Sequence, residues 1–226
     1  MHLVIFDIDG TLTNTNHLDH YCYFKAFSAL YQQDVMQQKW EDFRHFTDSN
    51  ITQEMFERIL QRDPQPEEIE QLKAAVCALY DQYLETEKNW FAEVPGAREF
   101  VSELNRHPDV AVAFATGCWQ CTAAYKLQVA EIPYQPAVLA HADEHIRRED
   151  IMQQAVHKAI AHYQTAAFSR ITYFGDGIWD YHTCQKLNVP LIGIDCNGRE
   201  VLQSLGVPHV FTDYLDRARL FQVLGI

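Results

Sequence analysis

The stretch Leu3-Val4-Ile5-Phe6-Asp7-Ile8-Asp9-Gly10-Thr11-Leu12 ends an apolar run on two acids one residue apart. In an extended segment residues i and i+2 point to the same side, so Asp7 and Asp9 present both carboxylates to one place. Carboxylates held that close repel unless a proton or cation sits between them, and oxygen donors suit a hard ion such as Mg²⁺. Gly10 lets the backbone leave the strand in a tight turn. The same two acids also fit a plain turn or helix cap, since acids after strands are common there.

Three other stretches carry groups that complement such a pair. Thr116-Gly117 closes the apolar run 110–115, and Gly175-Asp176-Gly177-Ile178-Trp179-Asp180 closes the run 171–174. The basic pair Arg147-Arg148 opens the helical stretch before the latter. Carboxylates hold Mg²⁺, and an aspartate can act as a covalent nucleophile through an aspartyl-phosphate. A hydroxyl, backbone N–H groups and an arginine can hold phosphate oxygens. Gathered at one place, these groups suit phosphoryl transfer.

The elements that would gather them can be read from periodicity. Four apolar residues without alternation read as a strand buried on both faces. Further strands are expected at 110–115, 137–140, 171–174, 190–194 and 209–211. Helical patterns lie between them at 97–106, from 118 or 119 to 129, from 148 or 149 to 163, up to about 187, and at 198–205. Strands alternating with helices imply right-handed crossovers and a parallel sheet, whose ligands bind at the carboxyl ends of its strands. After the first strand that alternation is interrupted by nearly pure helix. Helices are expected at 17–33, at 35–46, at 51–60 behind the N-cap cluster Asp48-Ser49-Asn50, and from Glu67-Glu68 onward. The last carries Ile69, Leu72, Val76, Leu79 and Tyr83 at bundle spacing. The fold class is therefore α/β: a Rossmann-like parallel sheet formed by 1–15 and 91–226, with an inserted α-helical bundle cap at 16–90.

Asp7-Ile8-Asp9-Gly10-Thr11-Leu12, Thr116 after an apolar strand, an upstream basic residue and Gly175-Asp176-x-x-x-Asp180 together resemble the four motifs of the haloacid dehalogenase-like superfamily. Within it the likeness is to phosphatases with a helical C1 cap, of phosphoglycolate phosphatase and β-phosphoglucomutase type. The resemblance implies Asp7 as nucleophile and Mg²⁺ ligand. It implies Asp9 as the acid that protonates the leaving oxygen and then activates water, its backbone carbonyl ligating the metal. It further implies Thr116 and Gly117 as phosphate-binding groups, Asp176 as a direct Mg²⁺ ligand, and Asp180 as a ligand or supporting acid. The family's third motif normally supplies Lys. Here Arg148 is the choice, with Arg147 and then Lys158 behind it, and Arg is not an equivalent group. Dehalogenases and phosphonatases of the superfamily lack an acid at the position of Asp9, so its presence implies phosphate-ester chemistry.

The whole-chain numbers exclude other classes. Eighteen Lys and Arg against 31 Asp and Glu give a net charge of −13, which opposes nucleic-acid and anionic-membrane partners. The expected partner is a small phosphorylated metabolite, with Mg²⁺ as cofactor. No apolar stretch approaches bilayer length, and the run after Met1 meets Asp7 too soon for a signal peptide. A cytoplasmic protein is expected, with its six cysteines reduced. Cys118-Trp119-Gln120-Cys121 has redox-motif spacing, but its place after Thr116-Gly117 reads better as small buried thiols at a helix start. His141 and His145, His17 and His20, and Arg44-His45 are further cleft candidates.

The function expected is a Mg²⁺-dependent phosphatase that hydrolyses a small phosphate monoester through an aspartyl-phosphate. The rivals are a phosphomutase of β-phosphoglucomutase type and a catalytically idle binding module of the same fold.

Overall fold

The computed structural model describes residues 1–226, the side chain of Glu41 apart. Six strands form one sheet in the order β3-β2-β1-β4-β5-β6. They are β1 (His2–Phe6), β2 (Val110–Ala115), β3 (Leu139–Ala140), β4 (Arg170–Gly175), β5 (Leu191–Ile194) and β6 (Val210–Phe211), all paired in parallel. β1 and β2 are buried at every position, which is why their sequences are apolar without alternation. The chain runs outward from β1 to β3, then crosses back to β4 on the other side of β1. That reversal opens a crevice beyond the carboxyl ends of β1 and β4. Register carries the chemistry to it: Phe6 pairs with both Phe114 and Phe174, so Asp7, Ala115 and Gly175 stand at one level.

Helices α4 (Ala97–Arg106), α5 (Gln120–Val129), α6 (Arg148–His162), α7 (Ile178–Leu187), α8 (Val201–Ser204) and α9 (Arg217–Leu224) surround the sheet. Under α4 and α9, Phe6 stacks on Phe174 with ring centroids 4.7 Å apart, and Phe100 packs against Phe174, Tyr214 and Phe221. Such offset and edge-to-face pairs add to area burial. Among the described residues no helix is long and apolar enough to cross a membrane.

Between β1 and α4 lies the helical region expected from the sequence. It contains α1 (Asn16–Tyr31), α2 (Asp48–Met55) and α3 (Pro66–Thr86). Pro66 occupies the first turn of α3, where its missing N–H costs nothing, and Glu67 and Glu68 face the helix dipole. The aromatics of α1 serve as filler: Tyr23, Phe24 and Phe27 are buried, and Phe27 packs on Phe56.

Several expected boundaries are corrected. The stretch 35–46 is not a helix but an irregular segment with one 3₁₀ turn, Trp40–Asp42. Trp40 packs there on His20, Tyr23 and Phe24, and this tertiary packing outweighs local helix propensity. The N-cap of α2 is Thr47, whose hydroxyl accepts from Asn50 N, so Asp48 falls inside the helix. α2 passes into a π turn at Phe56–Leu60. β3 shrinks to two residues behind a 3₁₀ turn, and the helix expected at 198–205 is reduced to α8. α9 is an element that the sequence pattern does not predict.

The helical region is latched onto the sheet domain by hydrogen bonds, most of them from side chains to backbone carbonyls. Asp48 N donates to Gly117 O at 2.8 Å, Arg148 Nε to Phe46 O at 3.0 Å, and Thr47 Oγ1 to Ile146 O at 2.8 Å. Ser49 Oγ donates to Ala142 O at 2.8 Å and receives Trp119 Nε1 at 3.1 Å.

Candidate active site

Asp7 leaves the end of β1 with its backbone N–H bonded to Phe174 O at 2.9 Å. Its carboxylate is 3 % exposed, and Oδ1 lies 3.3 Å from Arg148 Nη1. The same guanidinium nitrogen is 3.6 Å from Asp180 Oδ1. Asp180 is saturated: Oδ2 accepts the N–H groups of Asp176 and Gly177 at 3.1 Å each, and Oδ1 accepts Tyr173 OH at 3.2 Å. It therefore shapes the loop after β4. Gly175 is required there, because a Cβ would meet the Asp180 carboxylate at 2.5 Å.

Asp176 receives Asn16 Nδ2 at 2.9 Å and Arg199 Nη2 at 2.6 Å on Oδ2. Its Oδ1 is buried with no hydrogen-bond partner among the described residues, and Asp7 Oδ1 likewise lacks a well-formed hydrogen bond. Carboxylate oxygens of Asp7, Asp176 and Asp180 lie within 4.8 Å of one another. Burial first, then the charge of Asp7, pushes Asp176 up to about 7. Burial also raises Asp7, against the pull of Arg148. Orphaned buried oxygens on adjacent acids form a donor set that fits a hard divalent cation. Gly10, at φ +72°, makes room for this corner, since a Cβ would lie 2.1 Å from Asp176 Oδ2.

Asp9 faces the other way. Its Oδ2 accepts Lys126 Nζ at 2.7 Å and Cys118 Sγ at 3.0 Å, and Oδ1 accepts Thr15 Oγ1 at 2.5 Å. Burial would raise Asp9, but the Lys126 ammonium and these hydrogen bonds prevail and hold its carboxyl below the ordinary range. Lys126 has no exposed side-chain surface and also reaches Asp19 Oδ1 of α1 at 3.0 Å. Asp9, Asp19 and Cys118 form a second compact ligand-like trio. The ammonium, 3.1 Å from Cys118 Sγ as well, already serves as its cation.

A cleft of about 100 Å³ between the sheet edge and the helical region is lined by Asp7 and Asp9 among others. The sheet domain contributes Asp7, Asp9, Gly117, Cys118, Arg148 and Trp179; Asp19, Trp40, Phe46, Asp48 and Ile51 come from the helical region. Gly117 sits where a Cβ would strike Phe46 O at 2.3 Å and Arg148 Nη2 at 2.8 Å. Beside it, Thr116 Oγ1 is buried and accepts Cys118 N–H at 3.2 Å. Gly117 and the Arg148 guanidinium thus share the cleft with Asp7.

Residues 4–194 match the family model described as haloacid dehalogenase-like hydrolase. The chain belongs to this family. Solved structures with the same architecture include a hydrolase from Pseudomonas syringae, with TM-score 0.71, 20 % identity and 99 % of each chain covered. A HAD hydrolase of family IA, variant 3, from Entamoeba histolytica gives TM-score 0.66 and 18 % identity over 95 % of this chain and 94 % of that one. CbbY from Rhodobacter sphaeroides, solved in complex with phosphate, gives TM-score 0.63 and 18 % identity over 95 % of each chain. No curated protein matches the chain. The fold is thus that of the haloacid dehalogenase-like hydrolases, among them phosphatase- and phosphomutase-like members.

Of the residues expected from the family's motifs, Asp7, Asp9, Gly117 and Arg148 line the cleft, Asp176 and Asp180 have carboxylate oxygens within 4.8 Å of Asp7, and Thr116 precedes Gly117 in the chain. Arg147 is instead turned out to Glu149 and Asp150, and Lys158 binds Leu139 O and Glu144. Other candidates fall away from the cleft lining. His17 packs on Trp90, and His141 lies 3.0 Å from Asp143. His20 reaches Gln38 O, and Arg44 pairs with Glu54. His145 is absent from the lining too. Of the two expected buried thiols only Cys118 is buried; Cys121 is exposed and hydrogen-bonds Cys77. Sequence reasoning missed Asn16, Asp19, Asp48, Lys126 and Arg199. Lys126 did carry a signal, as a lysine on the inward face of a helix directly after the second motif.

Proposed function

We propose that the chain is a phosphoric monoester hydrolase acting through an aspartyl-phosphate, with a catalytic core of 1–15 and 91–226 and a C1 cap of 16–90. The observation that supports this best is the buried corner where Asp7 and Asp176 keep under-bonded oxygens beside Gly117 and Arg148. Asp7, Asp176 and the Asp9 carbonyl would hold Mg²⁺, with Asp180 bracing Asp176. The ion, when bound, would neutralise phosphate charge and favour attack on phosphorus.

In the first step an Asp7 carboxylate oxygen bonds to phosphorus while the bond from phosphorus to the ester oxygen breaks. Asp9 gives its proton to the departing alkoxide, help worth roughly 10²–10⁴ in rate. In the second step Asp9 takes a proton from water, the water oxygen bonds to phosphorus, and the Asp7–phosphorus bond breaks. Arg148, Thr116 and the Gly117 N–H orient the phosphoryl oxygens throughout. The helical cap excludes further water and selects the alcohol. Phosphate bound to CbbY is in keeping with an anion site in this fold.

The test is phosphate release from a panel of small phosphate esters with Mg²⁺, for the wild type and for Asp7→Asn. Turnover that falls by roughly 10³-fold or more in the variant supports the assignment. Turnover that survives refutes Asp7 as nucleophile, and net isomerisation of sugar phosphates without phosphate release would instead identify a mutase.

A further inference from the structure

Two thiols that the proposed chemistry does not use meet across the boundary between the helical region and the sheet domain. Cys77 lies on α3 and Cys121 on α5, and the Cys121 thiol donates a hydrogen bond to the Cys77 sulfur. Cys121 is exposed and Cys77 half-buried. Both line a surface hollow of about 310 Å³ together with Lys73, Gln120 and Asp143. The spacing Cys118-x-x-Cys121 suggests a different pair, but Cys118 Sγ is held by Asp9 at 3.0 Å and Lys126 at 3.1 Å. Cys118 thus faces the catalytic corner, while Cys121 faces α3.

α3 and α5 run side by side through this contact. One turn beyond the thiols, the Tyr80 and Tyr125 rings pack with centroids 5.4 Å apart, and Tyr125 OH donates to Asp81 Oδ1 at 2.7 Å. One turn before them, Lys73 pairs with Asp143 of the sheet domain. None of these contacts is covalent. The helical region is joined to the sheet domain by two stretches of chain, one after β1 and one before α4, and chain stretches of this kind serve as hinges. A bond between Cys77 and Cys121 would add a third covalent link and remove that freedom.

We propose that Cys77 and Cys121 form a reversible disulfide that latches the cap shut over the active site when the protein meets a hydroperoxide. The effect on catalysis rests on the phosphatase reading above; the bond itself does not. The Cys77 sulfur bonds to one oxygen of hydrogen peroxide, the O–O bond breaks, and the departing hydroxide takes the Cys77 proton to give water. The Cys121 sulfur then bonds to the Cys77 sulfur, the S–O bond breaks, and hydroxide leaves as water with the Cys121 proton. The two thiols lose two electrons and one peroxide gains them. The hydrogen bond from Cys121 favours the Cys77 thiolate as the attacking group, and its exposed neighbour is placed to resolve the sulfenic acid.

The test treats the reduced full chain with hydrogen peroxide and maps its peptides without reduction. The expected product is a peptide pair joined through Cys77 and Cys121, lighter by about 2 Da than the separate peptides and parted again by dithiothreitol. In Cys121→Ser the reaction should stop at a Cys77 sulfenic acid that dimedone traps. A bridge between Cys118 and Cys121, a bond between two chains, or no bridge at all overturns the proposal. The latch is read with p-nitrophenyl phosphate and Mg²⁺. Bridging should lower kcat/KM by about tenfold or more, dithiothreitol should restore it, and Cys77→Ser should be insensitive to peroxide. Alkylation of Cys118, which lines the cleft, should slow in the bridged chain. A bridge that leaves either rate unchanged overturns the latch. Should the reduced chain hydrolyse no ester, the phosphatase reading fails and the Cys118 labelling rate alone decides the latch.

Discussion

Lys126 Nζ lies 2.7 Å from Asp9 Oδ2 and 3.0 Å from Asp19 Oδ1, with no side-chain surface exposed. One ammonium thereby ties the proposed acid–base residue at the end of β1 to α1 of the helical region. Tyr80 of α3 donates to the same Asp19, so the tie spans two helices of that region. The ammonium stabilises Asp9 as a carboxylate, the form that takes a proton from water; the first step needs the proton back.

Replacing Lys126 by Met leaves Asp9 and Asp19 buried against each other without a cation. The expected loss is about 3–5 kcal/mol of folding stability, read by urea denaturation with an unchanged m-value. Adding Asp19→Asn to that variant should recover part of the loss, because the two substitutions share one interaction. A loss below about 1 kcal/mol for Lys126→Met would contradict the tie.

Arg148 touches Asp7 and stands over Gly117, whereas Arg147 and Lys158 are engaged elsewhere. Arg148→Ala should lower kcat by roughly 10²–10³-fold, as loss of a positioned charge does. Arg147→Ala and Lys158→Ala should stay within about threefold. Arg148→Lys should restore only part, since a point charge does not reproduce the guanidinium fork. Steady-state kinetics on the best ester of the panel decides among the three positions.

Burial and the charge of Asp7 push Asp176 up to about 7, which sets a pH signature. Its folded-state value exceeds the unfolded one, so the protonated form favours the fold. That stabilisation is complete below about pH 4 and is lost as pH rises through about 7. In EDTA the thermal midpoint should therefore carry a component that declines between about pH 4 and 7, absent in Asp176→Asn. Mg²⁺ should bind more tightly as pH rises over the same window, because the cation displaces the proton. Calorimetric titration in buffers of different ionisation enthalpy would show proton release near pH 6 and little near pH 8.5; release independent of pH would refute the assignment.

Cys118 is buried against Asp9 and Asp19, and burial followed by those charges pushes its thiol far up. Cys121 is exposed and hydrogen-bonds Cys77, which that bond pulls below the ordinary thiol value. That bond pushes the Cys121 thiol up, so brief alkylation of the native chain should label Cys77 first and spare Cys118, since thiolate content and access govern the rate. Peptide mass mapping checks this, and early labelling of Cys118 would show that the Asp9 pocket opens freely.

The legible part of this protein was local. Unbroken apolar runs identified β1 and β2, because a strand covered on both faces must be apolar throughout, the mixed run 171–174 identified β4, and the residues just after these strands named Asp7, Asp9, Thr116 and Asp176. Helix periodicity located α1, α3, α4 and α6 to within a residue or two, where one face packs and the other is wet. The segment 35–46 misled because packing of Trp40 against α1 set its conformation, and no local pattern records that.

What only the tertiary structure decided depends on partners distant in sequence. The choice of Arg148 over Arg147 turned on which side of the first turn of α6 faces Asp7, 141 residues earlier. The role of Lys126 rests on Asp9 and Asp19, brought to it across 117 and 107 residues. Asp48 looked like a helix N-cap until Thr47 took that role and the helical region seated it over Gly117. Charges buried at such junctions have energies set by their three-dimensional neighbours, and sequence spacing carries no measure of those. The sequence by itself determined which residues end the strands; the packing of the helical region determined which charge each of them meets.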